Sequence, residues 1–162
     1  MASIRRLTAV GDACRKDKEE IVKRYFAYGS NLWRKQMEDR CPDHRIIGKG
    51  VLKSYCWMIS PRGYATIVKS TSDEVHGVVY EISESDEKSL DHYEGVQSGS
   101  YRKEMLMVEV EGESRVCLVY VDPVEEEGKP RREYINRINK GISDSKLPPE
   151  YIGRYIRKFI PV

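Results

Sequence analysis

Eight residues constrain this chain more than any others. Tyr25-Phe26-Ala27-Tyr28 reads as the end of an apolar-aromatic strand, Gly29 stops it, and Ser30-Asn31-Leu32 opens a helical pattern. A strand that passes through a glycine turn into a helix start aims free backbone N–H groups at one point in space. Such a point suits a carboxylate or a developing oxyanion. Gly29 would allow close backbone approach and an unusual, positive φ. Ser30 and Asn31 equally suit a helix cap, and one helix end can serve both purposes. Far downstream, Tyr93-Glu94-Gly95-Val96-Gln97-Ser98-Gly99-Ser100-Tyr101 sets an acidic residue in a glycine-rich stretch between tyrosines.

The remaining pattern supplies the scaffold. Strands are expected at Val22–Tyr28, Tyr55–Ile59, Ala65–Val68, Val75–Ile82, Tyr101–Val110 and Arg115–Val121, the last two as a hairpin. Gly48, Gly50, Pro61, Gly63 and the Ser70–Glu74 cluster read as the turns between them. Trp33, Met37 and Cys41 recur at i, i+4 in a helix starting at Ser30 or Asn31 and ended by Pro42. Ser83 followed by Asp86 marks a second helix start, and Gly95 stands where a C-terminal glycine cap belongs. Glu94 then lies at the negative end of a helix, which disfavours a carboxylate and pushes its pKa up. Tyr134, Ile138 and Ile142 define a third helix; Ile152, Ile156 and Ile160 define a fourth, opened by Pro148-Pro149. The fold class is α+β, with a small, mixed but mainly antiparallel and barrel-like sheet flanked by helices.

Composition narrows the function. The 162 residues fit one domain over 21–162, behind a polar N-terminal extension over 1–20. That extension carries Asp12, Glu19 and Glu20, which organelle-targeting peptides avoid. With 28 basic and 26 acidic residues there is no field of one sign to recruit nucleic acid. No stretch is long enough to span a membrane, and a cytoplasmic protein is expected. Cys14, Cys41, Cys56 and Cys117 are widely spaced and read as reduced thiols. His44, His76 and His92 do not sit at ligand spacing, so no metal site and no cofactor are expected.

The two motifs together resemble the γ-glutamylcyclotransferase family, which pairs a Y-G-S-N loop with one glutamate in an E-G-V-x-S-G-x-Y context. Gly63-Tyr64-Ala65-Thr66-Ile67, Asp73–Tyr80, Pro130–Tyr134 and Leu147–Tyr151 are similar to further family segments, although Lys129 replaces a family serine. The resemblance runs from Arg24 to about Pro161. It implies the fold of a small mixed β-barrel with flanking helices. It also implies cyclisation of a γ-glutamyl amino acid to 5-oxoproline with release of the free amino acid. Glu94 would be the single general base and acid. Tyr28, Gly29, Ser30, Asn31, Leu32, Tyr101 and Tyr134 would bind substrate, with the N–H groups of Gly29 to Leu32 holding the oxyanion and α-carboxylate. His92 is a rival base without a family match. The glutathione-specific branch usually has Y-G-S-L, so Asn31 argues against glutathione as direct substrate. The same chemistry on a γ-glutamylamine or a γ-glutamyl-protected intermediate stays open. So do a non-catalytic metabolite-binding or interaction module and a homodimer.

Overall fold

The computed structural model describes residues 22–162, and the expected polar extension over 1–20, with Cys14, lies outside them. Five strands, β1 (Lys23–Ala27), β2 (Arg45–Ile59), β3 (Ala65–Ile82), β4 (Arg102–Val110) and β5 (Glu113–Val121), close into a barrel in the order β1-β3-β2-β4-β5. Neighbours are antiparallel except at the closing seam, where β1 meets β5 in parallel at Tyr25↔Leu118. Helices α1 (Arg34–Arg40), α2 (Glu84–Tyr93) and α3 (Arg132–Ser145) flank it, with a short α4 (Pro149–Tyr151) at the end. The expected α+β class and mainly antiparallel barrel are what the chain forms. Phe26, Trp57, Ile59, Ile67 and Leu118 are fully buried among the core side chains, each stabilising the barrel by roughly 1.5–3 kcal/mol.

Three local expectations are corrected. Gly48 and Gly50 are not turns but lie inside β2. At Gly50 a Cβ would stand 2.9 Å from both Val108 and Val79, so the glycine is there for close packing across the barrel. The Ser70–Glu74 cluster lies inside β3, where it interrupts the ladder instead of ending the strand. Lys53 pairs with Glu74 but Tyr55 with Lys69, so 70–73 bulge out opposite Ser54, whose φ is +67°. The fourth helix is one α turn that widens into a π-helical turn over Ile152–Ile156.

The helix after Gly29 also starts later than expected. Ser30–Leu32 form a single 3₁₀ turn, Trp33 is extended, and α1 begins at Arg34. Neither Ser30 nor Asn31 caps α1 with its side chain. The start of α2, by contrast, carries the reciprocal capping box the sequence predicts: Ser83 Oγ accepts from the Asp86 N–H and the Asp86 carboxylate accepts from the Ser83 N–H.

Candidate active site

Glu94 is placed by the end of α2. The Gly95 N–H donates to His92 O (3.2 Å) and the Val96 N–H to Asp91 O (3.0 Å), the paired bonds of a Schellman cap. Gly95 has φ +61°, a left-handed conformation that a side chain would disfavour, so this residue fixes where the helix stops and where the preceding carboxylate points. The stretch to Tyr101 is closed by Arg62. Its guanidinium donates to Ser100 O (3.0 Å) and to Asp122 Oδ2 (2.9 Å), and lies 4.9 Å from the Tyr101 ring centroid. Asp122 is 2 % exposed, so this ion pair is costly to break from either side.

A cavity of about 340 Å³ opens between this stretch and the Gly29 turn. It brings together Tyr28, Gly29, Ser30, Asn31, Glu94, Tyr101 and Tyr134, which are up to 106 positions apart in sequence. Leu32 is the exception. It is a core residue against α3, where a Cβ on Gly141 would lie 2.8 Å from its own, and its N–H is spent on Gly29 O (3.1 Å). Leu32 therefore leaves the expected binding set, because the 3₁₀ turn folds its N–H back onto the loop. The N–H groups of Gly29, Ser30 and Asn31 have no backbone acceptor among the described residues. His92 is exposed and outside the cavity.

Gly29 itself corrects a reason. Its φ is −119°, so no left-handed turn demands glycine. Space does: a Cβ here would stand 2.9 Å from Tyr134 Oη and 3.2 Å from Ala65 Cβ.

The Glu94 carboxyl makes no hydrogen bond or ion pair among the described residues. Burial among protein atoms pushes its pKa up to about 7, against the pull of the Arg40, Arg62 and Arg137 charges. Glu94 is half-buried as a residue and lines the cavity. The rise matches the expected direction, and burial is its largest cause.

The tyrosines differ in what they can still donate. Tyr101 gives its proton to Ala65 O (2.8 Å), and Tyr28 gives its own to Tyr120 O. Tyr134 Oη instead accepts from the Ala65 N–H (3.2 Å), which leaves its proton free to point elsewhere. Burial raises all three phenols, Tyr134 to about 12, so each stays neutral near pH 7. Asn31 is 4 % exposed and fully engaged: Nδ2 donates to Tyr25 Oη (2.9 Å), and Oδ1 accepts from Gln36 (2.9 Å) and Arg40 (3.2 Å). A leucine there would forfeit all three bonds.

Sequence reasoning missed the arginines. Arg40 ends α1, Arg62 lies between β2 and β3, and Arg137 is on α3, yet all three reach the cavity wall. Among 28 basic residues no local signal distinguishes them. Tyr25 and Tyr120, also in the wall, read as ordinary strand aromatics.

The AIG2-like family model matches residues 74–155, the span that holds Glu94, Tyr101 and Tyr134. The human γ-glutamylcyclotransferase is 32% identical over 151 residues, covering 86% of this chain and 79% of the human protein. The mouse γ-glutamylcyclotransferase is 35% identical over 138 residues, covering 78% and 73%. A solved structure of a γ-glutamyl cyclotransferase superposes with a TM-score of 0.75 at 30% identity, over 82% of this chain and 85% of that one. With a matching barrel, a matching family segment and relatives aligned over most of their length, this chain belongs to the AIG2-like, γ-glutamylcyclotransferase family.

Proposed function

We propose that this chain is a γ-glutamylcyclotransferase that needs no cofactor and acts on γ-glutamyl amino acids. The observation that carries the reading is a single carboxyl, raised to about 7 by burial, in the same cavity as the Gly29 turn. Membership of an enzyme family supports a catalytic role for that site.

The substrate already holds its nucleophile. The α-amine of a γ-glutamyl group can close a five-membered ring on its own γ-carbonyl, and well-oriented intramolecular attack is worth ~10⁵–10⁸ M of effective concentration. The protein is left with proton transfer and charge. Ionised Glu94 takes a proton from the α-ammonium, and the freed amine attacks the γ-carbonyl. Glu94 returns that proton to the departing nitrogen, and the C–N bond breaks as the oxyanion collapses. The second proton passes from the ring nitrogen through Glu94 to the released amine, which leaves as an ammonium. A group near pH 7 serves both steps with little bias. The oxyanion is met by the N–H groups of the Gly29–Asn31 turn and by the free Tyr134 O–H. Tyr28 and Tyr101, their protons already given away, wall the pocket and hold its shape.

The purified protein incubated with γ-glutamyl dipeptides, γ-glutamylamines and glutathione, followed by mass spectrometry, tests this directly. Formation of 5-oxoproline from the dipeptides is expected. Binding across the panel with no 5-oxoproline from any member would put the metabolite-binding module in its place.

A further inference from the structure

The three arginines of the cavity wall are not equivalent. Arg62 is paired with buried Asp122, and Arg137 holds Glu133 through both Nε (3.0 Å) and Nη2 (2.8 Å). Arg40 has no carboxylate partner among the described residues. A guanidinium carries five N–H donors, and the one hydrogen bond it makes among the described residues runs from Nη1 to Asn31 Oδ1 at 3.2 Å. Its position is nonetheless fixed, because the guanidinium carbon lies 4.4 Å from the centroid of the Tyr93 ring and the side chain leaves from the last residue of α1. This is a held cation with donors to spare.

Its place in the cavity says which anion it meets. Tyr28, Asn31, Tyr101 and Tyr134 are each under 10 % exposed and form the interior, where a γ-glutamyl group must lie to reach Glu94. Tyr93 is 55 % exposed, and half-buried Arg40 spans from the interior Asn31 amide to the Tyr93 ring, so its remaining donors lie between the interior and the rim. A γ-glutamyl amino acid carries one ammonium and two carboxylates. The ammonium belongs at Glu94 and the α-carboxylate at the turn N–H groups. The second carboxylate, on the amino acid about to leave, extends outward. A γ-glutamylamine lacks that group and offers Arg40 nothing.

We propose that Arg40 receives the carboxylate of the departing amino acid and thereby selects γ-glutamyl compounds with an anionic leaving group. This rests on the cyclotransferase reading above. It assigns a specificity-determining residue from outside both motifs.

The test compares γ-glutamylalanine with its C-terminal amide, which removes one charge and keeps the shape. The quantity read is the ratio of kcat/KM for acid over amide. Any effect of Arg40 on folding or on Glu94 falls on both substrates and cancels. Wild type should favour the acid; Arg40→Gln should lower the ratio about 10- to 100-fold, the range for a hydrogen bond to a charged group, and Arg40→Lys should keep part of it. A ratio unchanged in both variants overturns the proposal, as does equal loss on acid and amide, which would move Arg40 to the glutamyl α-carboxylate. Calorimetric binding of the same pair separates the two readings. If neither compound yields 5-oxoproline but wild type binds the acid more tightly and Arg40→Gln does not, cyclotransfer falls and carboxylate recognition stands. If wild type binds acid and amide alike, this proposal falls.

Discussion

Two carboxylates seven positions apart, Glu87 within α2 and Glu94 at its C-terminal cap, have opposite fates. Glu87, with a side chain 11% exposed, touches Lys23 at 2.6 Å and Lys103 at 2.7 Å. Burial pushes its pKa up, but the hydrogen bonds from Lys103 and Lys23 outweigh burial and hold it below the usual value. Glu94 ends the same helix with three arginines on the surrounding wall and none in contact, and burial wins. Burial alone therefore does not make a base. A directly paired carboxylate becomes an anchor that stays ionised; one whose counter-charges are held off becomes a group that titrates near neutrality.

The largest effect expected from this contrast is on rate. Glu94→Gln keeps size and hydrogen-bonding capacity but removes the proton acceptor, and turnover should fall ~10²–10⁴-fold with substrate binding retained. Glu87→Gln should leave turnover within a few-fold, which steady-state kinetics on both variants would show. Comparable losses in both would erase the distinction. Next in size is Gly29→Val, whose side chain would collide with Tyr134 and Ala65; misplacing the turn should cost about 10²-fold in kcat/KM, read on the same substrate.

Stability against pH sharpens the contrast further. The folded pKa of Glu94, about 7, lies above its ordinary value of 4.5, so the folded state holds a proton that the unfolded chain has released. Below 4.5 both states are neutral and nothing is lost. As pH rises through that window the folded state forfeits stability, up to roughly 3 kcal/mol and less where cavity water solvates the carboxylate. Glu94→Gln should therefore raise Tm at pH 8 and leave it unchanged near pH 4. The Glu87 pair runs the other way, its contribution present at neutral pH and lost on acidification through its lowered pKa. Glu87→Gln should lower Tm at pH 7 by the equivalent of about 1–3 kcal/mol. Thermal melts at the two pH values check both signs. The smallest effect expected is none at all: chelator treatment should leave 5-oxoproline formation unchanged, because the proposed mechanism gives the oxyanion to backbone dipoles and one O–H.

Local chemistry made part of this molecule legible from sequence. The capping box at Ser83 and the glycine cap at Gly95 are written in neighbouring residues and form where the sequence places them. The hairpin between β4 and β5 also forms, with a turn tighter than the sequence suggests, because Glu113 and Ser114 join β5. Features that depend on what packs opposite were not legible. Gly50 looks like a turn until Val79 and Val108 are placed against it, and Gly29 looks like a left-handed residue until Tyr134 arrives from α3. The Glu94 and Gly29 motifs announced themselves, whereas Arg40, Arg62 and Arg137 reach the site only through the tertiary fold. Leu32 was misread because its role depends on a 3₁₀ turn closing on itself.

The seam of the barrel has a practical consequence for whoever dissects this cavity by mutation. β1 and β5 share one registered backbone pair, Tyr25↔Leu118, and aromatic side chains complete the closure there. Tyr25 packs edge-on to Tyr120 with centroids 5.8 Å apart, and the Tyr28 hydroxyl crosses to Tyr120 O. The cavity wall is thus also the rivet of the cylinder. Removing a phenol here loosens the staves as well as the pocket, so a silent tyrosine variant speaks first about architecture. Amide exchange at Tyr25 and Leu118, measured beside turnover, separates a sprung seam from a lost contact.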